Sequence, residues 1–578
     1  MSDKTYSNHE LASIFQKIAD LLEIKGELIY KILAYRKAAD SLENLGIDAS
    51  ALWQNGKLTE IPGVGKAIAE KIGELLSTGS LEFLNKLEAE VPPTLADVLQ
   101  VPDLGPKKVA LFWKQLGVTD LAGLEAAARA GKLQSLPGMG AKSEARILAG
   151  IEALSRRTGR TPLGKAWPFA EQTLSVLRLV PGVKAVEAAG SLRRMRSTVG
   201  DIDLLAAAAD SAAVMQAFTG LPDVARVLGQ GETKASLEFS HNLRAQLWVH
   251  PPERFGTALQ YATGSKDHNV RLRELALKKG LSLSDQSFLL SDGSELLCAT
   301  EEEVYAALGL PWIPPELRED RGEVEAAQSG KLPDLIQLSD MRAELHCHST
   351  WSDGRLSIIQ MAGAAIQRGR KVLAITDHSA SLGVAGGLSI DEIKAQRKEI
   401  DAAQAELGDK ILLLQGAEVE ILADGALDYP DDALAGLDIV IASLHSSLRQ
   451  PREQVTARLL KAMSNPHVDI IGHPTGRMIP NREGADLDMD AVLKAAAEHQ
   501  VALEINAHPA RLDLDDVYAR RAIQMGIKLS INTDAHSESD MDLLHFGVAT
   551  ARRGWVRPQD VINTLQPDQL VHWLKDRR

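Results

Sequence analysis

Cysteine is nearly absent from this chain. Its 578 residues include Cys298 and Cys347 and no others. That excludes a disulfide framework and makes a reducing compartment, the cytoplasm, the expected location. Aromatic residues are scarce at 4%, while Ala and Leu are abundant, so helix is expected to prevail. Positive charge is also short. Lys and Arg number 64 against 78 Asp and Glu, a formal net charge of −14, which argues against duplex binding through bulk charge. The deficit is uneven: residues 1–160 hold 20 of each sign, so the acidic excess lies downstream. No apolar run approaches the ~18 residues of a membrane span. The stretch Met1–Glu10 is polar, so neither export nor a membrane partner is expected.

The length implies roughly three to five domains, because single cores stop growing well below it. Residues 8–85 read as short helices, with Leu11, Ile14, Phe15, Ile18, Leu21 and Leu22 at the spacing of one buried face. Three related turns follow: Ile61-Pro-Gly63-Val-Gly65, Val101-Pro-Asp103-Leu-Gly105 and Leu136-Pro-Gly138-Met-Gly140. Their intervals of 40 and 35 residues mark an internal repeat. A glycine-rich turn at a helix start frees backbone N–H groups. These bind phosphate oxygens without reading sequence, so Gly63, Gly65, Gly105, Gly138 and Gly140 are candidate DNA contacts. This mode needs little net positive charge. Asp103 would repel phosphate, so either Lys107 and Lys108 offset it or that copy is only structural.

Further along, Gly190-Ser191-Leu-Arg-Arg194 precedes Gly200-Asp201-Ile-Asp203. Gly190 and Ser191 at a turn offer small donors to a triphosphate, and Arg194 can neutralise it. Asp-x-Asp on a strand points both carboxylates one way, suited to holding Mg²⁺. Residues 319–340 are charged and turn-rich, which suggests a linker.

From residue 341 onward short apolar runs alternate with helices. About seven strands with βα repetition imply a parallel, barrel-like sheet. At or just past their C-terminal ends stand His346, His348, Asp353, His378, Glu418, His445, His473, Asp534 and His536. In such barrels that rim carries the active site. These nine N and O donors suit a cluster of divalent metals rather than one structural zinc, the usual machinery for cutting a phosphoester. Glu418 and Asp534 can each bridge two ions, and Asp377 can orient a ligand from behind.

The runs Glu344-Leu-His-Cys-His-Ser, Ile375-Thr-Asp-His-Ser379, Ile471-Gly-His-Pro474 and Asn532-Thr-Asp-Ala-His536 resemble the polymerase-and-histidinol-phosphatase (PHP) phosphoesterase domain. The resemblance implies a distorted (β/α)7 barrel holding up to three manganese or zinc ions. All nine ligands of that family are present by position.

The three turns look like helix-hairpin-helix motifs. Tyr35-Arg-Lys-Ala-Ala39, the Gly63–Lys71 run, the Gly190 and Asp201 elements, and Tyr261-Ala-Thr-Gly264-Ser-Lys-Asp-His-Asn269 resemble family X DNA polymerases. That resemblance implies Schiff-base chemistry at Lys71 and 5′-phosphate binding at Lys31. It also implies a nucleotide site in which Tyr261 lies near the sugar and Asn269 near the base. It extends over almost the whole chain, in the bacterial architecture with a fused C-terminal phosphoesterase. The expected domains are a lyase-like helical region at 1–85, hairpin motifs at 86–160, a nucleotidyltransferase palm at 161–252 and a nucleotide-selection subdomain at 253–318, followed by the linker 319–340 and the phosphoesterase at 341–578. The whole is a multidomain α+β and α/β protein.

One position departs from the family. Where its third catalytic aspartate belongs, within Leu243–Val249, this chain has Gln246, and Trp248 stands where an arginine is usual. A neutral amide cannot help deprotonate a primer hydroxyl, so polymerisation is expected to be weak or to need manganese, unless Glu238 or His250 supplies a ligand instead. The expected function is DNA repair. A monomer would bind gapped, nicked or 3′-ended DNA and deoxynucleoside triphosphates, with Mg²⁺ or Mn²⁺ at Asp201 and Asp203 and a 3′-5′ exonuclease in the barrel. The competing readings are a small-molecule phosphatase with vestigial DNA modules and a DNA-end scaffold.

Overall fold

A computed structural model describes residues 6, 8–43, 45, 49–99, 101, 104–156, 160–240 and 243–577. The chain divides into two compact units, Met1–Gly159 and Arg160–Arg578.

The first unit is helical. Along the helix Asn8–Lys25, Leu11, Phe15, Ile18 and Leu22 are buried at three- and four-residue spacing, while Ile14 is only partly covered. The hairpin turns are exposed. Gly63 and Gly138 have φ of +78° and +74°, a conformation that costs glycine nothing and any other residue much more. The helices Lys66–Thr78, Pro106–Leu116 and Ala141–Arg156 start directly after Gly65, Gly105 and Gly140, which leaves their first N–H groups facing outward. Asp103 lies outside the described residues.

In the second unit a five-stranded sheet runs in the order Val183–Ala188, Ile202–Ala208, Arg244–His250, Lys234–Phe239, Val224–Gln230. The pair Ile202–Ala208 and Arg244–His250 is parallel and the other pairs are antiparallel. Strand alternation gives this sheet two different faces. Ile202, Leu204, Ala206, Ala245, Leu247 and Val249 bury against the helices Leu163–Arg178 and Ala212–Thr219. Asp203, Gln246 and Trp248 are half-buried on the other face. There the helix Phe255–Thr263 covers Leu205 and Ala207.

The charged stretch 319–340 packs into the unit instead of hanging as a tether. It forms the helix Glu323–Gln328, and Glu323, Val324 and Ile336 are buried. Glu323 enters the interior because His268 Nδ1 lies 2.6 Å from its carboxylate. Charged, turn-rich composition suggested a linker, whereas Glu319 and Glu323 are paired inward and Glu325, Lys331 and Asp334 stay exposed.

Beyond it, seven parallel strands follow one another in chain order: Ala343–Glu344, Val372–Ile375, Leu412–Glu420, Ile439–Ser443, Ile470–Gly472, Ala502–Asn506 and Leu529–Asn532. A bridge between Cys347 and Ala535 brings the first and last strands together, with His348 N donating to Ala535 O at 2.9 Å. This is the distorted seven-stranded barrel expected from the sequence. Among the described residues, no helix is long and apolar enough to cross a membrane.

Candidate metal centre and nucleotide cavity

Strand ends build the barrel site. His346 and His348 follow the first strand and His378 the second; Glu418 lies within the third; His445, His473 and the Asp534–His536 turn follow the fourth, fifth and seventh. Glu418 is the hub. Its Oε2 lies 3.0 Å from His378 Nδ1 and 3.3 Å from His346 Nε2. Its Oε1 lies 2.9 Å from His473 Nε2 and 3.2 Å from His445 Nε2. Asp534 Oδ1 is 3.0 Å from His348 Nε2, and Asp353 Oδ1 is 3.2 Å from His536 Nε2.

These side chains form three overlapping sets of ligand atoms, each within 4.8 Å: His348, Asp353, His378 and His536; His346, His348, Glu418 and Asp534; and His378, Glu418 and His445. His473 joins them through Glu418. Buried polar atoms normally find partners. Yet His346 Nε2, His348 Nδ1, His378 Nδ1 and Glu418 Oε2 are buried with no hydrogen bond. Inward-facing lone pairs without donors, beside three carboxylates, fit a cluster of divalent cations. Burial opposes charge on His346, but Glu504, Glu418 and Asp534 outweigh it and raise its pKa well above the usual value.

The sequence reading missed two acidic residues that hold this shell. Glu504 Oε1 lies 2.7 Å from His346 Nδ1, and Glu504 also accepts from His473 N and Asn532 Nδ2. Glu420 lies 2.8 Å from His445 Nδ1. Each fixes which ring nitrogen faces the centre. The available signal was a carboxylate inside an apolar strand buried on both faces. Asp377 acts one step further out. It accepts from Ser349 N at 2.7 Å, Ser349 Oγ at 2.6 Å and Ser352 Oγ at 2.5 Å, and so holds the loop that carries Asp353.

On the palm, Arg194, Asp203, Trp248, His250, Tyr261, Gly264, Lys266, Asn269 and Arg273 line a cavity of 580 Å³. Burial and the neighbouring Asp201 push the Asp203 carboxyl up to about 6, against the pull of Arg194 and Lys234. A carboxyl raised in part by a second carboxylate suits a cation held between the two. Gly190, Ser191 and Gly200 are not among the lining residues. Gly190 has φ +57° and packs so tightly that a Cβ there would collide with the Asp203 carboxylate. Asn269 donates to Tyr261 O at 2.8 Å and accepts from Gln260 at 2.8 Å, which sets its orientation.

Gln246 pairs in register with Asp203 across the parallel strands, so their side chains share a face. Glu238 is held by Arg226 at 3.0 Å and Arg244 at 3.4 Å, while His250 reaches the cavity wall.

In the helical unit, Lys31 and Lys71 meet over one ring, with their Nζ atoms 5.4 and 5.1 Å from the centre of Phe83. Lys71 Nζ also donates to Ala67 O at 3.2 Å.

Comparison with known proteins gives matches along the whole chain. Residues 6–81 match a helix-hairpin-helix domain and residues 95–153 a SAM-like helix-hairpin-helix tandem. Residues 258–319 match the DNA polymerase beta thumb and residues 344–508 the PHP domain. The chain is 40% identical over 569 residues to the DNA polymerase/3′-5′ exonuclease PolX of Bacillus subtilis (strain 168), covering 98% of this chain and 99% of that one. DNA polymerase lambda of Rattus norvegicus is 26% identical over 347 residues, 54% of this chain and 57% of the relative. A probable phosphatase of Thermoanaerobacter sp. (strain X514) is 29% identical over 247 residues, 41% of this chain and 95% of the relative.

Proposed function

The chain belongs to the bacterial family X DNA polymerases with a fused C-terminal PHP domain, and from that membership we propose that it is a DNA repair enzyme with two active sites. The barrel is a metal-dependent 3′-5′ exonuclease. The palm is a nucleotidyltransferase that binds a deoxynucleoside triphosphate but extends primers poorly. The convergence of five histidines on Glu418, with Asp353, Asp534 and His536 in overlapping sets beside it, carries the first assignment, and Gln246 opposite Asp203 the qualification of the second.

At the barrel, His346, His348, Asp353, His378, Glu418, His445, His473, Asp534 and His536 would hold up to three manganese or zinc ions. Such a cluster supplies hydroxide at neutral pH and a clamp for the scissile phosphate. The protein's own part is orientation. Glu504 and Glu420 keep Nδ1 of His346 and His445 occupied, so Nε2 of each points inward. Arg511 Nε stands 3.6 Å from Asp534 and adds a cation beside the place where a phosphate would lie.

At the palm, Asp201 and Asp203 would hold the Mg²⁺ or Mn²⁺ that accompanies the triphosphate. Arg194 faces its phosphates, Tyr261 its sugar and Asn269 its base. The hairpin turns grip the phosphate backbone of gapped, nicked or 3′-ended DNA through Gly63, Gly65, Gly105, Gly138 and Gly140, and the protein acts as a monomer. These DNA-contact turns favour a polynucleotide substrate over a small phosphate ester, because a small-molecule phosphatase has no use for them.

One assay matrix tests the proposal. Degradation of a 3′-labelled strand and primer extension are measured with Mg²⁺ and with Mn²⁺ for wild type, His346→Ala and Asp201→Ala. His346→Ala is expected to lose degradation while keeping the wild type's weak primer extension, and Asp201→Ala the reverse. Degradation at the wild-type rate in His346→Ala removes the nuclease assignment.

A further inference from the structure

An arginine of the phosphoesterase barrel grips Arg194, a residue in the wall of the palm cavity. Arg553 ends the helix Leu544–Arg553 and is buried to 3% exposure. Its Nη1 donates to the carbonyl oxygen of Arg194 at 2.7 Å and to Glu319 Oε1 at 2.9 Å, and its Nη2 donates to Asp516 at 2.9 Å. Glu319 in turn accepts from Arg194 Nε at 3.1 Å. Arg194 Nη1 donates to Thr263 O at 2.6 Å. Backbone and side chain of Arg194 are thus both fastened, and the guanidinium forms part of the cavity wall.

We propose that Glu319, locked in place by Arg553, is the positioning residue for the triphosphate-binding Arg194, so that the phosphoesterase barrel is a working part of the nucleotide site. Two half-buried, charge-assisted bonds set the plane of a guanidinium far better than solvent does. The carbonyl that Arg553 grips precedes Met195, whose φ is +54°; the bond holds the turn in a conformation that non-glycine residues avoid. Glu319 stays ionised, since Arg553 and Arg194 overcome its burial and hold it at about 2. The same chain segment carries the barrel's ligands: Asp534 and His536 lead through the turn Glu538–Leu543 into this helix, and Asp540 accepts from His536 N at 3.0 Å.

A counter-charge and a positioning residue predict opposite signs. If Glu319 only neutralised Arg194, removing its charge would strengthen the attraction for triphosphate. If it positions Arg194, removing the charge weakens binding. The inference rests on the reading of the cavity as a nucleotide site, so the experiment separates the two. Binding of dATP with Mg²⁺ is measured by calorimetry on the full chain bound to a gapped duplex with a templating thymine, for wild type, Glu319→Gln, Arg553→Lys and Arg194→Ala. Degradation of a 3′ end is measured in parallel.

Glu319→Gln and Arg553→Lys are expected to raise Kd on the order of tenfold, with 3′-end degradation unchanged. A lysine cannot serve Arg194, Glu319 and Asp516 at once, so it does not rescue. Unchanged or tighter dATP binding in Glu319→Gln overturns the proposal. Equal loss of binding and degradation assigns the residues to folding and overturns it as well. Wild-type binding by Arg194→Ala instead removes the nucleotide reading of the cavity itself.

Discussion

Glu504 Oε1 and His346 Nδ1 lie 2.7 Å apart, and both side chains are fully buried. The pair joins the strand Ala502–Asn506, which contributes none of the nine ligands, to the first ligand of the barrel. Such partners typically govern metal affinity by ~10–100-fold. Glu504→Gln keeps the shape but weakens the pull on the Nδ1 proton. Manganese affinity by titration calorimetry is therefore expected to fall by roughly that factor. Degradation should drop at limiting Mn²⁺ and recover at high Mn²⁺. Unchanged affinity would show that Glu504 serves only the strand.

Gln246 stands in register with Asp203 on the neighbouring parallel strand, on the face where a third carboxylate would complete a two-metal site. Restoring the charge with Gln246→Asp is expected to raise primer extension on the order of a thousandfold, equivalent to ~4 kcal/mol of barrier. Degradation of 3′ ends should stay unchanged. Full wild-type extension, or no gain on restoration, rejects the idea that Gln246 limits the palm.

The side chains that meet at the barrel rim were legible because most stand just beyond a recognisable strand, and six of the nine are histidines. Glu504 and Glu420 were not, because a single carboxylate on a strand gives no sign of which imidazole it will face. The hairpin glycines were legible from their spacing, and the positive φ of Gly63 and Gly138 explains why that spacing needs glycine. The contact of Arg553 with Glu319 spans 234 residues and has no local pattern at all. The same holds for Glu323 in the stretch 319–340, whose partner His268 lies 55 residues away.

Acid should act on the palm side of the second unit through Glu301. Its carboxylate, 4% exposed, is clasped by Arg318 at 2.5 Å and Arg193 at 2.8 Å. Burial raises the carboxyl, but Arg318 and then Arg193 override it and hold the group at about 2, against 4.5 for a free glutamate. A depressed folded value contributes stability that is complete above pH 4.5 and lost as pH falls towards 2. The gap is worth roughly 3 kcal/mol. Glu301→Gln leaves the buried Arg318 and the half-buried Arg193 without their carboxylate and should cost about 3–5 kcal/mol at neutral pH. Its urea midpoint should then fall less steeply than that of the wild type over the same acid window. Parallel acid limbs in the two proteins would assign the loss to other carboxylates.

Lys31 and Lys71 face the same Phe83 ring, which places two amines where a 5′-terminal sugar phosphate could be held by one and attacked by the other. Lys71 Nζ donates to the backbone carbonyl of Ala67 at 3.2 Å, while Lys31 pairs with Glu27 at 3.3 Å. The Glu27 ion pair engages Lys31 and leaves Lys71 as the candidate nucleophile, since a free amine is what attacks a sugar aldehyde. Borohydride reduction in the presence of an incised abasic site is therefore expected to capture a covalent adduct. That adduct should disappear in Lys71→Ala and persist in Lys31→Ala at higher DNA concentration. An adduct of equal yield in Lys71→Ala would move the nucleophile elsewhere. Absence of any adduct in the wild type would leave the two lysines as phosphate contacts alone.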